Sequence, residues 1–347
     1  MINFQNHPAM TKIVIPNNIN LINNDFNYAF DSMQNLITSE FNHRNVIKMC
    51  STYSDCINLT SFPVCGNNVT TLRYAYDGCR NITGSPVCGP NVTDMSGAYA
   101  NCSKLIGPPV CGNKVTTMYR AYDSCRNFTN SPICGPNVTN IAHTYRYCSN
   151  LTGSPVCGEK VVNMSNTYQS CTNLTGSPVC GSNVTNMHYA YYYCRNLTGP
   201  PVCGPNVTNM YAAYGNCQNL TGSPVCGNNV TDMHSAYRDC YNITGVSKCS
   251  SKVTDMSFAY TNCKNLSAGN HYWYSPNVSN VKGCFWGKNN SRRYNIHVPA
   301  NSTTLNTCLA TNANNSLTTG SITWTKSGNN YYNKTYNIYI YPNSSLS

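Results

Sequence analysis

The sequence predicts a solenoid of 23-residue coils, each with a short helix and a very short strand in a parallel sheet, joined to a small β-rich C-terminal domain. Three observations predict it. Cys56, Cys79, Cys102, Cys125, Cys148, Cys171, Cys194, Cys217, Cys240 and Cys263 stand 23 residues apart. Cys65, Cys88, Cys111, Cys134, Cys157, Cys180, Cys203, Cys226 and Cys249 keep the same step with no insertion. After Cys263 the register slips, Val278 lying 25 residues past Val253, and the text turns to alternating strands. The expected organisation is N-terminal capping coils over 1–45, a Cys-rich solenoid over 46–270 and a β-rich cap or attachment domain over 271–347.

The capping coils follow from register. Phe26, Ala29, Phe30, Met33 and Leu36 repeat the spacing of Met49, Thr52, Tyr53, Cys56 and Leu59 without the cysteines. A solenoid end exposes its core, and such degenerate coils cover it. Within one full coil, "NVTDMSGAYANC" at 91–102 places Val92, Met95, Ala98, Tyr99 and Cys102 on one face of a short helix. Thr93 sits at the expected N-cap, and Asp94 suits the positive helix end. Gly107 and Pro108 end that helix, and "PPVCG" reads as the short strand. The column Val64, Val87, Val110, Ile133, Val156, Val179, Val202 and Val225 continues as Lys248, so it is expected to face outward. Strand alternation then turns the Pro86 and Cys88 columns inward, and both cysteine columns line the core. An Asn column running from Asn58 and Asn81 to Asn265 is expected to tie adjacent coils through its amides. Its N-x-[ST] matches recur because the coil recurs. In the last segment "YNIHVP", "SITWT" and "YNIYIYP" are the expected strands.

Composition narrows the function. The chain carries 22 Lys and Arg against 11 Asp and Glu, a net charge of +11, with no basic run. Nucleic acid is therefore disfavoured, while anionic cell-surface polymers fit this thin excess. No apolar stretch is long enough to span a membrane. "MINFQNHPAMTKIVIPNN" lacks a basic segment followed by an apolar one, so no secretory signal is expected. With 22 Cys a purely cytosolic working life is disfavoured too, and a virion protein, made in the cytosol and used outside the cell, reconciles the two.

The phrase "VTNMxxAYxxCxNLT" resembles the BspA-like leucine-rich repeat of bacterial surface proteins and phage tail-associated proteins. The resemblance covers roughly residues 20 to 270, and the tail from "YNIHVP" onward resembles segments that close such arrays. One departure is the strand "PVC", where that family usually carries an aliphatic residue. The resemblance implies adhesion or receptor binding at a virion surface, or alternatively at a bacterial cell surface, with no catalysis and no cofactor. A purely structural decoration protein is the other alternative.

Candidate residues follow from comparing columns. Only two Glu, Glu40 and Glu159, are present, and Asp94, Asp232 and Asp255 share one repeat position, so no catalytic residue is assigned. The cysteine spacings alternate nine and fourteen without close pairs, so no metal site is assigned. Outward positions vary and are rich in Tyr, Arg and His. Tyr147, His188, Tyr189, Tyr192, Tyr193, Arg195, Tyr211 and Arg238 are the candidate binding face for a host glycan or anionic polymer, with His188 and His234 expected to be solvated. Val87, Val110, Ile133, Val156, Val179, Val202 and Val225 form a candidate apolar stripe for contact with a second copy of the chain or with other virion proteins. The cysteine columns begin and end together, which suggests disulfides across nine residues (Cys79 with Cys88) or fourteen (Cys65 with Cys79). Cys65, Cys79, Cys88, Cys102, Cys111, Cys125, Cys134 and Cys148 are the candidates, with Cys284 joined to Cys308; the alternative is columns of buried thiols.

Overall fold

The computed structural model describes residues 7, 9–15, 24–41, 45–63, 65–107, 109–318 and 320–346. The chain forms two compact units, Met1–Leu174 and Thr175–Ser347, and each is described by itself. The first opens with β1 (Lys12–Ile15), which pairs in parallel with β2 (Thr38–Phe41). Phe26, Ala29, Phe30, Met33 and Leu36 are buried beneath the first full coil, and the Phe30 ring lies 5.0 Å from that of Tyr53.

The short helix expected in each coil is replaced by a chain of turns. In the coil of Leu72–Cys79, the Ala75, Asp77 and Cys79 N–H groups donate three residues back, to the carbonyls of Leu72, Tyr74 and Tyr76 at 2.9, 3.3 and 3.2 Å. The alternate N–H groups leave the coil. Leu72, Tyr74, Tyr76 and Gly78 donate to Asp94, Ser96, Ala98 and Ala100 of the next coil at 2.8–2.9 Å. A residue with positive φ recurs every fourth position, as at Tyr74 (52°) and Gly78 (75°), which no right-handed helix permits. An ordinary residue in that conformation costs about 1–2 kcal/mol, offset here by the bond to the neighbouring coil. The expected helix start is also different. The Asp94 carboxylate accepts the Ser96 N–H at 2.8 Å, which makes a local turn. Asn140, Asn186 and Asp232 do the same two residues ahead of themselves. Thr93 is no N-cap: its N–H and hydroxyl both donate to the Thr70 carbonyl of the coil before, at 2.8 and 3.1 Å. The apolar face is as expected, with Val92, Met95, Ala98, Tyr99 and Cys102 fully buried.

The parallel ladder is displaced from the expected strand. It runs as single bridges through Asp25, Lys48, Thr71, Asp94, Thr117, Asn140 and Asn163 in the first unit. In the second it runs through Asn186, Asn209, Asp232, Asp255 and Asn280. The "PVC" segments from Val87 to Val225 form no ladder with one another. Their backbone is satisfied by the buried tyrosine column instead. The Tyr122 hydroxyl accepts the Val110 N–H at 2.8 Å and donates to the Val110 carbonyl at 2.7 Å. Tyr145 with Ile133, Tyr191 with Val179 and Tyr214 with Val202 repeat this double bond. The rings stack along each unit, with centroids 5.5–5.8 Å apart from Tyr53 to Tyr168 and 5.4–5.8 Å from Tyr191 to Tyr260. The Asn column ties coils as expected where Asn81 donates to the Asn58 amide oxygen at 3.0 Å.

The C-terminal segment builds a sheet of its own, which starts at the last "PVC" position of the array, where Lys248 continues the valine column. β3 (Lys248–Cys249), β4 (Gly269–Trp273), β5 (Tyr294–Pro299), β6 (Thr325–Ser327), β7 (Asn330–Asn333) and β8 (Ile338–Asn343) form one sheet in the order β3-β4-β5-β8-β7-β6. The pairs from β3 to β8 are parallel, and those of β7 with its neighbours are antiparallel. "YNIHVP" is β5 and "YNIYIYP" supplies β8, whereas "SITWT" contributes only Thr325. The single α-helix among the described residues, α1 (Thr303–Cys308), is capped by the Ser302 hydroxyl, and none is long and apolar enough to cross a membrane.

The tyrosine hydroxyls give a controlled stability test. Tyr122→Phe leaves the N–H and C=O of half-buried Val110 without the hydroxyl and is expected to lower stability by about 1 kcal/mol or more in urea unfolding. Tyr260→Phe, whose buried hydroxyl has no hydrogen-bond partner among the described residues, is expected to change stability by much less or to raise it.

Candidate binding surface

The turn chain decides which side chains reach solvent. In the coil of Asn186–Cys194, Met187, Ala190, Tyr191 and Cys194 point inward and are fully buried. His188 is turned out by the Asn186 turn, while Tyr189 (φ 53°) and Tyr193 (φ 64°) occupy the two left-handed positions. The Tyr189 and Tyr193 side chains are half-buried, and Tyr189 reaches Tyr211 of the next coil.

These residues form a continuous, half-buried aromatic surface in the second unit. His188 lies 4.5 Å from Tyr189 and 5.0 Å from Tyr211, centroid to centroid. Tyr189 contacts Tyr192 at 4.9 Å and Tyr211 at 5.3 Å, and Tyr192 contacts Tyr193 edge-on at 4.7 Å. Tyr211 stacks on His234 at 4.5 Å, and His234 meets Phe258 at 5.8 Å. Arginines flank the strip: Arg195 lies over Tyr193 at 5.2 Å and Arg238 over Phe258 at 5.9 Å. His188 and His234 are half-buried rather than solvated. Burial lowers the His188 pKa, and the His234 Nδ1 shares a 2.6 Å hydrogen bond with Ser257 Oγ. Burial and the bond to Tyr211 push Tyr189 up to about 12, and burial raises Tyr192. The surface is thus rich in neutral rings and hydroxyls, with its positive charge held at the edges.

Seven of the eight expected binding residues fall in this unit, and His188, Tyr189, Tyr192, Tyr193 and Tyr211 join in one network of rings. The eighth, Tyr147, belongs to the first unit, where Arg146 lies over its ring at 5.0 Å. Arg146 also holds Asp123, which is 1% exposed, at 2.7 Å, and Arg120 joins the same carboxylate at 3.0 Å. Phe258 was not expected in the surface. It shares its repeat position with Tyr189, Ala212 and Ser235, all at positive φ, and that shared position is the signal that identifies it.

The valine column from Val87 to Val225 is half-buried, alternating with a buried proline column; Val64 lies outside the described residues. The cysteines differ from expectation. All 22 are unbridged thiols, including Cys65, Cys79, Cys88, Cys102, Cys111, Cys125, Cys134, Cys148, Cys284 and Cys308. The two columns serve different carbonyls. Cys79, Cys102, Cys125 and Cys148 are fully buried, and each thiol donates at 3.0–3.1 Å to the Tyr carbonyl 26 residues before it. The Cys88 column is half-buried up to Cys226 and buried at Cys249, and the Cys88, Cys111, Cys134 and Cys203 thiols each lie within 3.6–3.8 Å of the carbonyl of the following Gly. Burial pushes Cys65 up to about 11 and Cys111 and Cys203 up to about 12.

A leucine-rich repeat protein from Bacteroides ovatus ATCC 8483 superposes with a TM-score of 0.53 over 85% of this chain and 80% of that one. The chain has a leucine-rich-repeat fold. At 15% identity the likeness is one of fold alone. Residues 203–298 match the family described as Mycoplasma protein of unknown function, DUF285. Residues 166–192 match the Kazal-type serine protease inhibitor domain, a stretch in which Cys171 and Cys180 are the repeat cysteines, neither bridged. No curated protein matches the chain.

Unbridged, protonated thiols have two measurable consequences. Alkylation under denaturing, non-reducing conditions is expected to modify all 22 cysteines, whereas native protein at pH 8 reacts slowly. A thiol whose pKa is raised on folding stabilises the fold below its unfolded value, about 8.5–9, and that stability is lost as pH rises toward the folded value. Stability measured by circular dichroism is therefore expected to fall steeply above about pH 9.

Proposed function

We propose that the protein is a non-enzymatic adhesion protein, displayed on a virion surface, that engages a host glycan or an anionic surface polymer. The observation that carries this reading is the aromatic strip from Tyr192 through Tyr189, Tyr211 and His234 to Phe258, with Arg195 and Arg238 at its edges. Aromatic rings offer large, rigid contact area at low conformational cost, and Tyr and Arg dominate binding hot spots. Tyr hydroxyls add hydrogen bonds suited to sugar hydroxyls, and the Arg forks suit acidic groups. A surface meant only to be wet carries Lys and Glu, and this one carries rings that contact one another across coils. A repeat scaffold suits the task, because core columns hold the backbone fixed while the outward columns vary.

The test is the Tyr189→Ala, Tyr192→Ala, Arg195→Ala triple variant, compared with the parent on a glycan array and in adsorption to host cells. Binding is expected to fall at least tenfold with the fold retained by circular dichroism, and parental adsorption by the folded variant refutes this surface.

A further inference from the structure

A second site lies at the C-terminal end of the array, apart from the aromatic strip. It is first visible as an exception in a column. Phe285 stacks on Tyr260 at 5.8 Å, continuing the tyrosine column, and its coil follows the same backbone pattern. In each coil the residue three places after that ring is a buried cysteine, as Cys263 follows Tyr260 and Cys240 follows Tyr237. After Phe285 the residue in that place is Lys288. Its N–H donates to the Phe285 carbonyl at 3.4 Å, matching the Cys263 N–H to Tyr260 at 3.2 Å. A thiol position has become an ammonium position, and Lys288 is only 7% exposed.

A buried ammonium is costly unless something compensates it. Nζ donates to Asn290 Oδ1 at 3.2 Å and to the Tyr336 carbonyl, and it lies 4.4 Å from the centre of the Tyr294 ring. These partners are all neutral. Burial still lowers its pKa to about 8. Among the described residues no acidic side chain is paired with it, and residues 256–347 hold seven Lys and Arg and no Asp or Glu. The lysine does not sit in a closed core. It lines an open cavity of about 270 Å³ together with Trp286, Asn290, Thr318 and Tyr336. Trp286 stands at the cavity with 42% of its surface exposed, an unusual exposure for the largest side chain. Gly287 between the two has φ 67°, and a Cβ there would lie 1.9 Å from the Asn262 amide oxygen, so the chain is held where Lys288 and Trp286 both reach one cavity.

We infer that this cavity binds a single sugar ring carrying a carboxylate, with Lys288 pairing the carboxylate and Trp286 stacking on the ring face. The volume lies just below the usual range for small-molecule pockets and suits one ring rather than an extended ligand. The Lys288 ammonium, with no carboxylate of its own, supplies the charge partner. Asn290 and Thr318 supply further hydrogen-bonding groups for the hydroxyls, the usual few polar contacts that fix orientation in a pocket.

The experiment titrates the full chain with sodium glucuronate, glucose and sodium acetate, followed by ligand-observed NMR and by the Trp286 indole resonance. Glucuronate is expected to bind in the millimolar range or tighter and to shift the Trp286 signal, with glucose and acetate each at least tenfold weaker. Lys288→Cys restores the residue of the other coils and Lys288→Met keeps the chain length. Both are expected to retain or raise the melting temperature and to erase the preference for the acid. Trp286→Ala, on an exposed side chain, is expected to weaken glucuronate with folding intact. Equal binding of glucose and glucuronate, acetate as strong as glucuronate, no Trp286 shift, or full binding by a folded Lys288 variant each overturns the proposal. These residues are disjoint from Tyr189, Tyr192 and Arg195, so the two sites fail or hold separately.

Discussion

Every other N–H of the turn chain donates out of its own coil. An α-helix would satisfy those groups internally and leave the coils joined by side chains alone. Here the Leu72, Tyr74, Tyr76 and Gly78 N–H groups bond the following coil, so the backbone itself sets the spacing of the stack. Much of the repeat's composition serves this arrangement. The left-handed positions that free alternate N–H groups are filled often by Gly, Asn and Ser and, at a cost, by larger residues such as Tyr, His, Arg and Phe. The Asp and Asn that precede them close the local turns that start the pattern. Where the chain crosses to the far side of the coil as "PVC", the backbone has no such neighbour, and the tyrosine hydroxyl takes that role.

The same arrangement explains what could be read from the sequence. The 23-residue period, the buried face of each coil and the inward cysteines were legible, because burial depends on which residues recur and in what order. The helix was misread because a chain of turns with apolar residues at i, i+3 and i+7 buries the same set. Only the recurring Gly, Asn and Ser at its left-handed positions distinguish the two, and Tyr189 and His143 at such positions hide that signal. The sheet was misplaced because "PVC" has strand-like residues, whereas the ladder passes through Thr, Asn and Asp. The paired start and end of the cysteine columns suggested bridges, yet each column has its own carbonyl partner. The C-terminal boundary near residue 271 was drawn where the register slips, although β4 pairs directly with β3 of the array.

The aromatic surface was legible residue by residue and not as a connected strip. His188, Tyr189, Tyr192, Tyr193 and Tyr211 stood out as variable outward residues, but contact between coils depends on the left-handed geometry that brings position 189 beside position 211. Phe258 closes the strip and had no distinguishing mark beyond its column. Lys288 was invisible for the opposite reason. The two-residue slip after Cys263 moves it out of the 23-residue count, and only the stack of Phe285 on Tyr260 restores its place.

The end of the sheet has a consequence for self-association. A row of parallel strands with an open edge is a template that can accept a strand of another molecule, then another, into a filament. The sheet instead reverses after β8: β7 runs antiparallel to it, and β6 antiparallel to β7. The outermost strand is three exposed residues, Thr325–Ser327, with Lys326 at its centre. A short, charged edge left after such a reversal is a poor seed for further strands. At this edge of the C-terminal sheet, growth by strand addition has no long, flat strand to build on.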